Sequence, residues 1–220
     1  MLLWLGVGLA IVAGGLTLRW FGRRSDSLGR AVGFPTWSVS LLVVAALGCW
    51  WPVYRHHQLE QRLSTAASQV VGFPVHVHCQ TFGEAFVDAG AESGWVAFGA
   101  DGALEHQTLL KQDICGALAS FPSGGSQLTS EQVVAVHVLT HESMHMQGEA
   151  DEAVAECRAM QRDALTAQAL GASAEVGREL AWRYWMAVYP RMSEPYVSPD
   201  CVPAGALDEQ LPDAPWSVKQ

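Results

Sequence analysis

Acidic residues are almost absent from the first 57 residues of this chain, and basic residues are scarce in the rest. The first part has one acidic residue, Asp26, against five arginines, whereas residues 58–220 hold 21 acidic and 8 basic residues. The two parts therefore carry net charges of +4 and −13. Because nucleic-acid phosphate repels so acidic a domain, we expect no nucleic-acid partner. With 50% hydrophobic and 16% charged residues, the chain is also too apolar to be disordered.

Charged side chains are missing altogether from residues 1–18. At 1.5 Å per residue, roughly 20 apolar helical residues cross the ~30 Å hydrocarbon core of a membrane, so this run is long enough to span it. A second uncharged run, residues 34–54, is flanked by tryptophan and tyrosine, which favour the depth of the lipid headgroups. The sequence predicts a two-helix transmembrane hairpin over residues 1–57, with spans at about 1–18 and 36–54.

The orientation of this hairpin follows from its charged loop. A signal peptide is the alternative for the first run, but signal peptides start with basic residues and none precedes the apolar core here. The loop between the spans holds four arginines, and short arginine-rich loops stay in the cytoplasm. We therefore expect a multi-pass protein of the cell membrane, with the lipid bilayer as a partner and residues 58–220 as an extracytoplasmic domain.

The chain has five cysteines, and four of them fall in the predicted outer domain. An even number in an oxidising compartment predicts two disulfides, for which three pairings exist. We favour Cys79 with Cys115 and Cys157 with Cys201, because each pair then closes one half of the domain. Cys49 lies within the second span and is expected to be a buried thiol.

The outer domain is predicted to be α+β and mainly α. An amphipathic helix follows the second span and ends at Gly72. Alternating residues predict strands at 75–79 and 95–98, whereas the apolar spacing of residues 103–118 predicts a helix. The Gly- and Ser-rich residues 122–127 predict a loop.

The second half of the outer domain predicts three helices and an irregular, proline-rich tail. The helices are expected at about 129–147, 151–170 and 173–190. Thr129 and Gln132 form a capping-box pattern at the start of the first helix, and Gly171 ends the second.

Residues 141–145 read His-Glu-Ser-Met-His, which fits the pattern H-E-x-x-H. Residues four apart lie on one face of a helix, so the imidazoles of His141 and His145 can reach one ion. Glu142, beside them, is the candidate catalytic base that takes a proton from the attacking water. Zn²⁺ is the expected metal, because imidazole with carboxylate suits it. His137, one turn earlier, is expected to support the site rather than to bind the metal.

A third ligand must follow the turn at Gly148, where Glu149, Asp151, Glu152 and Glu156 are the candidates. The block resembles the gluzincin group of zinc metallopeptidases, in which H-E-x-x-H is followed by a second helix bearing E-x-x-A-[DN]. Residues 152–156 match it as E-x-x-A-E. That resemblance implies Glu152 as the third ligand, and Glu156 as the residue that holds the free ring nitrogen of a ligand histidine.

The block is also similar to the metzincin-like pattern H-E-x-x-H-x-x-G-x-x-H or D, with Gly148 and Asp151 in the last two fixed positions. That resemblance implies Asp151 as the alternative third ligand; of the two, we favour Glu152. Both imply a small zincin-like domain. The expected function is a membrane-anchored zinc metallopeptidase that hydrolyses peptide or protein substrates outside the cytoplasm. The alternative is a catalytically inactive zincin-like binding or envelope-assembly protein with a structural metal site.

Other polar residues give weaker signals. Tyr184, Tyr189 and Tyr196 follow the metal helices, where zincin folds often supply a group that stabilises an oxyanion, and the sequence selects none of them. His76 and His78 alternate along a strand and are expected to be surface residues.

Overall fold

The chain forms two compact units, Met1–Gln58 and Leu59–Gln220. The computed structural model describes residues 2–23, 25, 29–85, 93–100, 102–121 and 128–217. The loop predicted at 122–127 lies outside these residues.

The N-terminal unit is built from α1, Leu2–Gly22, and the first part of α2, Thr36–Val71. Both helices are long and apolar enough to cross a membrane, and only 11% and 6% of their most apolar stretches are buried. A core helix of a soluble protein would be mostly buried instead. The helices touch where Gly6 leaves space for the ring of Trp50, whose indole N–H donates to the carbonyl of Leu3 at 3.4 Å. The hairpin thus has two candidate membrane-spanning helices.

Helix α2 is longer than the predicted second span. It also includes the amphipathic helix that was predicted as a separate element, because the change from apolar to polar residues near Arg55 alters the composition without breaking the helix. The end at Val71 agrees with the prediction. Gly72 follows with φ of 91°, a conformation that a residue without Cβ adopts at no steric cost.

The outer unit contains a three-stranded sheet in the order β1–β3–β2. The strands are β1, His76–Cys79, β2, Gly94–Phe98, and β3, Leu104–Leu110. Strand β3 pairs in parallel with β1 and antiparallel with β2. A short helix α3, Phe82–Ala85, follows β1. The strands predicted near 75–79 and 95–98 are confirmed.

The helix predicted at 103–118 is wrong in its first half. These residues first form β3, and helix α4 occupies only Gln112–Ser120. Because β3 lies between β1 and β2, its backbone is hydrogen-bonded on both sides, and the alternate residues Thr108 and Leu110 are buried. Pairing with two strands outweighs the local helical spacing.

The three helices predicted for the second half are confirmed. They are α5, Ser130–Met146, α6, Glu152–Ala169, and α7, Ala174–Ala187. The capping box of Thr129 and Gln132 is formed. A 3₁₀ turn at Tyr189–Arg191 follows α7, and the tail consists of turns and bends as far as Ser217, the last described residue.

Both disulfides join the pairs that the sequence favoured. Cys79–Cys115 connects β1 to α4, and Cys157–Cys201 connects α6 to the tail. Cys49 is free and half-buried, rather than fully buried as expected. Together with the two apolar helices, the disulfides support membrane anchoring with an oxidising compartment around the outer unit.

Candidate metal centre

Helices α5 and α6 bring three side chains of the predicted site together. His141 and His145 lie one turn apart on α5, and Glu152 lies in the first turn of α6. The chain reverses between the helices at Gly148, which has φ of 101°. The predicted order of motif, glycine turn and second helix is therefore what places Glu152 opposite the histidines.

The ligand atoms of these residues form a small triangle. Nε2 of His141 lies 2.9 Å from Nε2 of His145 and 3.1 Å from Oε2 of Glu152, and the third side measures 3.4 Å. His141 and His145 are buried, whereas Glu152 is half-buried. This group could hold a metal ion.

The hydrogen bonds behind the histidines indicate which ring nitrogen carries the proton when each ring is neutral. Nδ1 of His145 donates to the backbone carbonyl of Glu149 at 2.6 Å, and a carbonyl can only accept. Nδ1 of His141 donates to Glu156 at 3.0 Å. In their neutral forms both rings therefore turn an unprotonated Nε2 toward Glu152. The lone pairs of the two nitrogens and the carboxylate oxygen repel one another at these distances. A cation, either a proton or a metal ion, is needed between them.

Glu156 lies directly behind His141, with its Oε2 3.0 Å from Nδ1 of the ring. Burial would raise the pKa of this carboxyl, but its contacts with His137 and His141 outweigh burial and hold the pKa well below its ordinary value. Burial would conversely lower the pKa of His141, and hydrogen bonds to Glu152 and Glu156 raise it to about 9. The hydrogen bond with His141 lowers the pKa of Glu152. All three shifts reflect one network of opposite charges.

His137 joins this network from the preceding turn of α5. Its Nε2 lies 3.0 Å from Glu156 and its Nδ1 lies 2.9 Å from Asp163, so both nitrogens face carboxylates. Burial acts to lower its pKa, but the charges of Asp163 and Glu156 raise it to about 10. His137, His141 and Glu156 form a second, fully buried group that could hold a metal ion.

Glu142 lies beside the triangle, against the sheet. A cavity of about 200 Å³ is lined by Glu142 together with His141, His145 and Glu152. Thr108 Oγ1 of β3 lies 3.4 Å from Oε2 of Glu142. These contacts place the candidate base and the candidate ligands around one opening.

A second cavity of about 240 Å³ reaches Glu142 from the side of α7 and the tail. Of the three candidate tyrosines, Tyr196 lines both cavities, and its ring centre lies 5.9 Å from that of His141. The hydroxyl of Tyr184 instead donates to Glu156 at 2.8 Å, and Tyr189 donates to the carbonyl of Ser198. The structure therefore shows that the three tyrosines have different partners, which the sequence could not show.

Several other residues have definite places. Asp151 caps α6, its Oδ1 accepting from the backbone N–H of Val154 at 3.0 Å, and it belongs to neither metal-binding group in the described part of the chain. His78 contacts Glu60 and Glu84 on the partly exposed side of β1. Asp163 and Thr108 were missed by sequence reasoning, because neither lies at a fixed spacing from the motif.

Comparison with models of known families, with curated proteins and with solved structures found no match. What the site does is therefore argued from its own residues.

Proposed function

We propose that this chain is a membrane-anchored zinc metallopeptidase that cleaves peptide bonds outside the cytoplasm. The triangle of His141, His145 and Glu152, open to a cavity that Glu142 also lines, supports it most directly. In a tetrahedral site with bonds of about 2.0–2.1 Å, ligand atoms lie roughly 3.3 Å apart. The three distances here, 2.9, 3.1 and 3.4 Å, are close to that value. Two imidazoles with a carboxylate are also a ligand set that suits zinc.

The first group suits a metal better than the second. In the group of His137, His141 and Glu156, both histidines direct N–H groups at one carboxylate oxygen, so the three atoms already satisfy one another. In the first group, the two imidazoles in their neutral forms and the carboxylate turn three acceptors toward one another, so a cation is needed between them. We therefore assign the metal to His141, His145 and Glu152.

The cavity favours a catalytic metal site over a purely structural one. Structural zinc sites are closed by four protein ligands, whereas catalytic sites have three and an open position. Among the described residues, this group has three ligands and faces a cavity of about 200 Å³. A bound zinc ion would polarise a peptide carbonyl and make an attacking water more acidic. Glu142 would take the proton of that water and pass it to the leaving amine.

Strand β2 supports a peptide as substrate. It is an end strand of the described sheet, and Trp95, Val96 and Phe98 line the cavity beside Glu142. An end strand can bind an extended peptide through main-chain hydrogen bonds. Tyr196, which also lines this cavity, would be the donor to the carbonyl oxygen as negative charge develops there.

The test uses the full chain in detergent micelles. Metal content is measured by mass spectrometry, and peptidase activity is measured as cleavage of a labelled unfolded protein substrate. We expect zinc at one ion per chain, lost in His145→Ala and Glu152→Ala. Glu142→Gln should keep zinc and lose activity by a factor of about 10² to 10⁴. Glu131→Gln, on the exposed start of α5, is the matched control and should change neither.

Zinc bound without any cleavage would support the alternative, a binding protein with a structural metal site. Cleavage that is as fast in Glu142→Gln as in the wild type would show that Glu142 is not the base. A wild-type protein that binds no metal would rule out both functions.

A further inference from the structure

His137 is a buried histidine for which the proposed reaction has no task. Only 2% of its surface is exposed, and it is not part of the proposed metal triangle. Both of its nitrogens are nevertheless occupied by carboxylates, Glu156 on one side and Asp163 on the other. With both carboxyls ionised, and therefore only accepting, His137 donates from both nitrogens. The imidazole ring therefore has one orientation in which both of these hydrogen bonds form.

Glu156 is held from both of its oxygens. Oε2 accepts from His137 and from Nδ1 of His141, each at 3.0 Å, and Oε1 accepts from the hydroxyl of Tyr184 at 2.8 Å. The three donors come from two different helices, α5 and α7. A carboxylate with both oxygens occupied in this way cannot rotate without losing hydrogen bonds, so the orientation of His141 is tied to that of its neighbours.

Two of these donors also hold each other. The rings of His137 and Tyr184 are stacked, with centres 3.5 Å apart and planes inclined by 13°. Asp163 closes the chain of contacts from α6, at 2.9 Å from Nδ1 of His137. Rotation of His137 would therefore break the contact with Asp163 and disturb the stacking, besides releasing Glu156.

We propose that His137 and Asp163 are positioning residues of the metal centre, an inference that rests on the proposed function. Acting through Glu156, they hold the ring of His141 so that its Nε2 points at His145 and Glu152. A role in packing alone explains them poorly. Taking an ionic pair out of water costs free energy, and apolar side chains of similar size would fill the same space without that cost.

The experiment measures zinc affinity in the full chain by competition with a chelator, and the absorption spectrum of the cobalt(II)-loaded protein. Asp163→Asn keeps the size of the side chain, and His137→Gln keeps one donor. Each should weaken zinc binding about 10- to 100-fold, the usual cost of losing a residue that orients a ligand. The cobalt bands should shift, because the geometry around the metal changes.

Thr166→Val is the matched control. It removes a buried contact between α5 and α6, the 2.8 Å hydrogen bond between Thr140 and Thr166, and Glu156 takes no part in that bond. Zinc affinity and cobalt bands should then match those of the wild type. Circular dichroism establishes that each variant is folded, and a purely structural role would lower the unfolding temperature while leaving the affinity unchanged. That result in Asp163→Asn would overturn the inference.

A measurement on the wild type needs no variant to fold. In the zinc-loaded protein with ¹⁵N-labelled histidine, His137 should carry protons on both nitrogens, and His141 should carry one on Nδ1. An unprotonated nitrogen on His137 would contradict the arrangement. If the wild type binds zinc and the folded His137 and Asp163 variants bind it with the same affinity, this inference alone is refuted. If the wild type binds no zinc, the proposed function is refuted as well.

Discussion

Glu142 lies against a residue that has no side chain. A Cβ added to Gly94 would lie 3.0 Å from Cγ and 3.1 Å from Oε1 of Glu142, and 2.8 Å from a methyl group of Leu110. Contacts this short force neighbouring atoms to move. The first residue of β2 therefore allows the sheet to approach the candidate base closely, which helps to keep a buried carboxylate in one position.

Gly94→Ala tests this close approach. We expect unchanged zinc content, a lower cleavage rate because Glu142 is displaced, and a stability loss of about 1–3 kcal/mol from overpacking. Gly116→Ala is the control, because a Cβ at that position on α4 meets no atom within 4 Å. Alanine there should be neutral or stabilising by up to about 1 kcal/mol. Equal rates for Gly94→Ala and the wild type would show that the contact is unimportant for activity.

At the scale of secondary structure, the start of α6 determines which acidic residue reaches the histidines. Asp151 is the N-cap and accepts a hydrogen bond from Val154. Glu152 begins the helix and contacts His141 and His145. Asp151 is the extended residue before the helix, so its carboxylate turns back onto the first turn, whereas that of Glu152 reaches α5. The beginning of α6 thus gives the two carboxylates separate tasks, capping for Asp151 and contact with the histidines for Glu152.

Asp151→Ala should keep zinc and lose stability. Removing the N-cap carboxylate leaves a backbone N–H of α6 without its acceptor, at a cost of about 1 kcal/mol. Asp151→Asn caps equally well and should resemble the wild type in both respects. Metal content and chemical denaturation of the two variants distinguish these outcomes. Loss of zinc from both variants would instead identify Asp151 as the third ligand.

At the scale of the outer unit, the tail is fixed to α6 although it has no helix or strand among its described residues. The disulfide Cys157–Cys201 joins them covalently. Glu209 forms ion pairs with Arg158 and Arg162. The disulfide and these ion pairs therefore hold the tail, which also contains Tyr196, against α6.

Glu209→Gln should destabilise the protein at pH 7 by about 1 kcal/mol, because a charge-assisted contact is lost. Burial raises the pKa of Glu209, but hydrogen bonds from Arg162 and Arg158 outweigh burial and lower the pKa. A carboxylate with a lowered folded-state pKa stabilises fully above its unfolded-state pKa of about 4.3 and loses this contribution as the pH falls through the folded value.

The difference in unfolding temperature between Glu209→Gln and the wild type should thus be present at pH 7 and vanish in acid. Glu179→Gln breaks an exposed pair with Arg183 and should cost only about 0.3–0.5 kcal/mol. A difference for Glu209→Gln that stays constant down to low pH would show that the charge is not responsible.

At the scale of the whole molecule, the charge asymmetry predicts the orientation in the membrane. A reporter that is active only in the cytoplasm should be silent when fused after Gln220 and active when fused after Arg30 in the basic loop. The reason is that arginine-rich short loops stay inside, whereas the disulfide-bonded unit belongs to an oxidising compartment. Activity after Gln220 would reverse the topology.

The sequence by itself determined the elements whose signals are local. The capping box at Thr129 and the glycine at 171 mark helix ends through contacts within a few residues, and these helices form as predicted. The pairing of His141 with His145 likewise follows from helical spacing alone. The two uncharged runs need only their length and composition to be recognised as candidate spans.

Only the tertiary structure decided the features that join distant segments. Strand β3 replaced a predicted helix because β1 and β2 pair with it, and the link from Glu156 to His137 and Asp163 exists because α5 packs on α6. Tyr196 lines both cavities because the tail returns to α5. Such contacts carry no local signal, since the free energy that favours them comes from burial and hydrogen bonds formed after the chain has folded back on itself.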